Sequence, residues 1–116
     1  MCAEHAVADY LVARGFRVLA TNLRLGRLEL DIVARRGSLV AVVEVRTRGV
    51  GSFETALASV LATKRRNLIR ATDRLWREHL ARDGGVERVR IDVAAVSFAS
   101  GQTSVEYVEG AVVAGE

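Results

Sequence analysis

Two apolar segments, residues 28–35 and 38–47, constrain this chain more than anything else in it. The first runs Leu28-Glu29-Leu30-Asp31-Ile32-Val33, the second Leu39-Val40-Ala41-Val42-Val43-Glu44-Val45, and they flank Arg36-Gly37. Val, Leu and Ile at this density predict strands, and the short Gly-containing gap predicts a hairpin turn. With Arg36 and Gly37 as a two-residue turn, Arg35 faces Ser38, Asp31 faces Val42, Glu29 faces Glu44 and Arg27 faces Arg46. Alternation then puts Glu29, Asp31, Glu44 and Arg46 on one face. Any even turn preserves that outcome, and a three-residue turn destroys it.

Carboxylates gathered in this way are costly. Two of them ~6 Å apart at an effective dielectric of ~20 repel by roughly 3 kcal/mol. Runs this apolar also indicate burial on both faces of a sheet, so the acids need a cation. One source is a guanidinium, with Arg27, Arg46 or Arg48 forming a buried salt-bridge network. The other is a hard divalent ion, Mg²⁺ or Mn²⁺, which takes oxygen ligands and keeps several waters. A metal held by carboxylates beside a basic helix is suited to phosphodiester hydrolysis.

The rest of the chain supplies the frame. Residues 3–14 predict a helix with Val7, Ala8 and Leu11 on one stripe and Gly15 as its stop. Glu4 falls on or beside that stripe, an unusual place for a carboxylate. Residues 16–22 predict a first strand. Helical periodicity runs from about Phe53 to Ala81, with a break or restart at Thr63 as an N-cap, and Asp83-Gly84-Gly85 ends it. Residues 88–98 and 103–108 predict two further strands around a Gly101-Gln102 turn. The order αβββαββ is that of an α/β domain with a mixed sheet, and 116 residues are one domain's worth. A single cysteine, Cys2, excludes an internal disulfide or a thiolate zinc cluster. Charges at Glu4, Asp9, Arg14 and Arg17 break any signal-peptide core, and no uncharged apolar run approaches the ~18 residues of a membrane span. The expectation is a soluble, cytoplasmic protein.

Charge is concentrated. Net charge is +3, and residues 64–77 carry six basic side chains (Lys64, Arg65, Arg66, Arg70, Arg74, Arg77) against Asp73, leaving −2 for the remainder. Lys64 is the only lysine; every other basic residue is Arg. Codon bias is one source of that preference, and the forked grip of guanidinium on phosphate is another. Arg66, Arg70, Arg74 and Arg77 form one helical stripe with few acids nearby, which favours contact with a nucleic-acid backbone over intrahelical pairing.

The ordered series Ala3-Glu4 with Ala8 and Tyr10-Leu11, Gly15-Phe16, Asn22-Leu23-Arg24, Glu29-Leu30-Asp31, Glu44-Val45-Arg46-Thr47-Arg48, Lys64 and Arg90-Ile91-Asp92-Val93 resembles the YraN-like family of uncharacterised bacterial proteins. That family is close to the archaeal Holliday-junction resolvases. Asp31 followed by Glu44-Val45-Arg46 resembles the D…(D/E)xK signature of the restriction-endonuclease-like superfamily. The resemblance spans residues 3–93 and implies a mixed sheet flanked by helices. It implies Asp31 and Glu44 as metal ligands with the Val45 carbonyl, Glu29 as an accessory carboxylate, and Glu4 reaching in from the first helix. Arg46 stands where the superfamily usually has Lys; it can stabilise phosphate charge but cannot act as a general base. Ala3 and Leu28 replace glycines that often precede the two Glu motifs. Lys64 is a candidate to stand near the site for the missing lysine.

The functional expectation is a Mg²⁺- or Mn²⁺-dependent nuclease acting on structured or branched DNA. The alternatives are a non-catalytic nucleic-acid-binding module of the same fold, and an interaction module whose charges are structural. A homodimer follows by resemblance only, with Tyr107 and Val108 as a candidate dimer edge. Among lesser signals, Arg90 and Asp92 read as a structural pair and Trp76 as core packing. Gly49-Val50-Gly51 reads as a turn, and His5 and His79 as ordinary surface or packing residues.

Overall fold

A computed structural model describes residues 2–48, 60 and 62–113. Helix α1 (Ala3–Ala13) precedes strands β1 (Arg17–Leu25), β2 (Leu28–Arg36) and β3 (Leu39–Arg48). Helix α2 (Ala62–Leu75) runs on into a π-helical turn (Trp76–Leu80), and β4 (Arg88–Ala99) and β5 (Gln102–Val112) complete the chain. The predicted order αβββαββ is the observed one. The strands form one sheet in the order β1-β2-β3-β4-β5, antiparallel except for the parallel pair β3–β4. The predicted helical stretch over 53–61 and the Gly49-Val50-Gly51 turn lie outside the described residues, apart from Val60. Because α2 begins at Ala62, Thr63 stands in its first turn instead of capping it.

Each helix covers one face. Val7 and Leu11 of α1 pack on Ile32, Ala41, Val43 and Val96, whereas Leu68, Ala71 and Leu75 of α2 pack on Leu30, Val33, Val42 and Val93. β3 lies between these layers, and its residues Leu39 to Glu44 are all buried, which explains its unbroken apolar run. α1 ends in a Schellman closure: Phe16 N–H donates to the Leu11 carbonyl and Gly15 N–H to that of Val12, with Gly15 at φ +87°.

The hairpin turn lies one residue later than expected. Arg36 pairs with Leu39, so Gly37 and Ser38 make the turn, Gly37 taking φ +61°. Register therefore shifts by two and its parity survives. Ile32 pairs with Val43, and one further step would set Asp31 opposite Glu44.

The Arg90–Asp92 pair is structural, as expected. Asp92 is fully buried; it accepts from Arg90 Nε at 2.8 Å and Nη2 at 3.0 Å, from Tyr107 Oη at 2.6 Å and from Gly110 N at 2.8 Å. Tyr107 also stacks on Tyr10 at 5.0 Å between ring centroids, tying β5 to α1. Burial and the Asp92 carboxylate push its phenol above the ordinary tyrosine range. Removing Asp92 would leave the Arg90 guanidinium with only Glu109, 3.5 Å away, and strand the Tyr107 hydroxyl and the Gly110 N–H. We expect Asp92→Ala to cost about 3–5 kcal/mol in urea unfolding, and a loss under ~1 kcal/mol would refute a structural role for the pair.

Candidate functional site

The site begins where β2 and β3 part. Their ladder stops at Ile32–Val43, and beyond it Asp31 Oδ2 accepts the Val45 backbone N–H at 2.9 Å. A side chain replaces a strand partner there, so the strands diverge around the two acids. In an extended residue N–H and C=O lie on the same side, which directs the Val45 carbonyl toward the same opening.

Glu44 is 3% exposed and sits on the face covered by α2. Lys64 Nζ, from the first turn of that helix, stands 3.5 Å from Glu44 Oε2. That is an ion-pair distance without hydrogen-bond geometry, and Oε2 remains buried with no hydrogen-bond partner. Burial first, and the charge of Asp31 second, raise the Glu44 carboxyl from an ordinary 4.5 to about 7, against the opposing pull of Lys64. Near neutral pH the Glu44 carboxyl is therefore only partly ionised, as a buried acid is when too little positive charge reaches it.

Arg46 follows Glu44 by two along β3 and shares its face. Arg48, offered by the sequence as a cation for the acids, is instead ion-paired with Glu106 on β5. Arg27 lies in the β1–β2 turn rather than opposite Arg46.

Glu29 departs from the predicted one-face arrangement. Leu28 and Leu30 both pack toward α2, yet Ile32 and Ala34 pack toward α1. The alternation of β2 thus shifts phase by one at Asp31, and Glu29, between Leu28 and Leu30, turns away from Glu44. It lies 4.0 Å from Arg24 instead. Glu4 is engaged by Asn22, whose Nδ2 donates to its Oε2 at 3.1 Å. Among the described residues no group of three or more His, Cys, Asp or Glu side chains could hold a metal ion. The structure brings together Asp31, Glu44, the Val45 backbone and Lys64. The carboxylate and carbonyl donors fit a hard cation that retains waters, because they are oxygens and one, Glu44 Oε2, is buried without a hydrogen-bond partner.

The basic stripe is less free than its sequence implied. Arg77 Nε pairs with Asp73 at 3.0 Å and Arg74 Nε with Glu78 at 2.8 Å. Glu78 lies one residue past the basic run, so intrahelical pairing absorbs part of the stripe after all. Arg74 Nη1 also donates to the Leu25 carbonyl at 3.1 Å and packs where a Cβ on Gly26 would go. Arg66 Nη2 donates to Thr63 Oγ1 at 3.3 Å. Arg65 is half-buried, whereas Arg66 and Arg70 are exposed. Trp76 is not core packing: it is 37% exposed and lines a cavity of about 690 Å³ with Ile69, Val89 and Ile91, to which neither Asp31 nor Glu44 contributes. His5 and His79 are exposed.

The Glu44 shift makes stability pH-dependent. A raised carboxyl binds more protons folded than unfolded between 4.5 and about 7, so its contribution is present at low pH and lost as pH rises through that window. At 1.36 kcal/mol per pKa unit the loss is on the order of 3 kcal/mol. Between pH 5 and pH 8 the wild type should lose about that much relative to Glu44→Gln. Parallel urea-unfolding curves for the two proteins would contradict the shift.

Residues 3–96 match the model of the family described as Uncharacterised protein family UPF0102. A UPF0102 protein of Sorangium cellulosum is 50% identical over 110 residues, covering 94% of this chain and 76% of the relative. Relatives of the same name in Sinorhizobium medicae and Methylococcus capsulatus are 41% and 36% identical, over 81% and 95% of this chain and 74% and 86% of their own. The chain therefore belongs to the UPF0102 family, the YraN-like family its sequence resembles.

Proposed function

We propose that this protein is a metal-dependent nuclease acting on structured or branched DNA. In this reading the Asp31 and Glu44 carboxylates and the Val45 carbonyl hold Mg²⁺ or Mn²⁺. The supporting observation is the Glu44 carboxyl, buried beside Asp31 with an oxygen that no donor satisfies. Such an ion, when bound, activates water and offsets charge on the scissile phosphate. The chain's own residues do the remainder. Asp31 is fixed by the Val45 N–H through Oδ2, which leaves Oδ1 as the oxygen it would offer a cation. Arg46, on the face of Glu44, offers a planar pair of donors to phosphate oxygens and takes no proton. Lys64 brings an ammonium to the acids from α2 and would exchange Glu44 for a phosphate oxygen once a cation neutralises the pair. Arg65, Arg66, Arg70 and, from an exposed pair with Asp73, Arg77 continue that positive edge along the backbone of the nucleic acid, while Arg74 is also committed to the Leu25 carbonyl.

A second reading, DNA binding without hydrolysis, is favoured by one feature: Arg46 stands where a lysine could accept a proton. Cleavage of labelled branched and linear DNA with Mn²⁺ separates the two. We expect cleavage that falls by about 10²-fold or more in Asp31→Asn and Glu44→Gln, together with loss of calorimetric Mn²⁺ binding. Binding of both metal and DNA with no cleavage would select the second reading, and absence of metal binding would remove the first. In either case Arg66→Ala with Arg70→Ala should weaken DNA binding and lower the salt slope by roughly 0.9 for each phosphate no longer neutralised. An unchanged slope would exclude this helix face.

A further inference from the structure

The phase change at Asp31 has a counterpart on the neighbouring strand. In β1, Ala20, Leu23 and Leu25 all pack toward α2, so the alternation slips by one between Ala20 and Leu23, as it does in β2 between Leu30 and Ile32. Thr21 pairs with Ile32 and Leu23 with Leu30, which leaves Asn22 opposite Asp31 at the slip in both strands. Asn22 has φ +49°, a left-handed conformation that Asn tolerates and β-branched residues do not. Its side chain is not idle: Nδ2 donates to Glu4 Oε2 at 3.1 Å, tying the kink to the first turn of α1.

We infer that Asn22, held by Glu4, is a positioning residue that aims Asp31 at Glu44 and Val45. Without a left-handed residue at position 22 the alternation of Leu28 and Leu30 would continue through β2. Asp31 would then turn with Glu29 toward the α1 face, and the Val45 N–H would lose its acceptor. Glu4 serves the site through Asn22, as a brace. The functional meaning of this geometry rests on Asp31 being a ligand, but the geometry itself can be tested without metal.

The probe is the Val45 amide, followed by hydrogen exchange on ¹⁵N-labelled full-length protein. Asn22→Gly keeps the left-handed backbone and should hold Val45 protection within about twofold of wild type. Asn22→Ala, which resists that conformation, should lower it by about tenfold or more while core amides of β4 stay protected. Asn22→Val should lower it further. If Asn22→Val does not fold, the Ala and Gly pair decides alone. Equal Val45 protection in wild type, Asn22→Ala and Asn22→Gly would overturn the inference, as would uniform loss of protection across the sheet in Asn22→Ala. Calorimetric Mn²⁺ affinity should follow the same order. A wild type that binds no Mn²⁺, yet shows the Val45 pattern, would sink the nuclease reading and leave the brace standing.

Discussion

A carboxyl buried in an apolar strand, facing a second carboxyl, is the constraint around which this fold is arranged. Glu44 lies in the most enclosed strand of the sheet, between two helical layers, where solvent cannot relieve its charge. The ladder between β2 and β3 ends beside it, and Asp31 takes over a backbone donor that a longer ladder would have satisfied. Lys64 reaches the Oε2 of Glu44 from α2 at ion-pair distance but does not hydrogen-bond it. Apolar packing fixes the position of the pair, and incomplete compensation makes that position chemically unusual.

Asp92 is the instructive contrast. It is as deeply buried as Glu44, but a bidentate guanidinium, a phenol and a backbone N–H all converge on it. Every lone pair with a strong claim is met, so the acid acts as a joint between β4 and β5. The difference between a joint and a candidate reaction centre is the number of donors supplied, not the degree of burial.

Much of this is legible in the chain itself. Density of Val, Leu and Ile locates the strands, Gly15 marks the helix stop, and hairpin parity carries the Glu44 side correctly although the turn sits one residue away. What periodicity cannot carry is a change of phase inside a strand. Strict alternation extended through Asp31 misplaces Glu29, and the only local sign is Asn22, a residue tolerant of positive φ lying a strand away. The contacts of the basic helix are hidden for a different reason. Counting charge from Lys64 to Arg77 stops short of Glu78, and no count could anticipate that Arg74 reaches the Leu25 carbonyl across the α2 face. Trp76 follows the buried Leu75 by one and so leaves the apolar stripe, and the π-helical turn that it opens is not visible in the Leu spacing.

Arg74 carries a wider implication for how basic surfaces in this fold are dissected. Its guanidinium clasps the β1–β2 hairpin tip from the helix, with Gly26 leaving it room. Truncating it would loosen the outer corner of the sheet as well as subtract a charge. A drop in affinity for any polyanion after that change would therefore report a displaced hairpin before it reported a missing cation. The neighbouring Arg70, exposed on the same helix, gives the cleaner reading of charge alone.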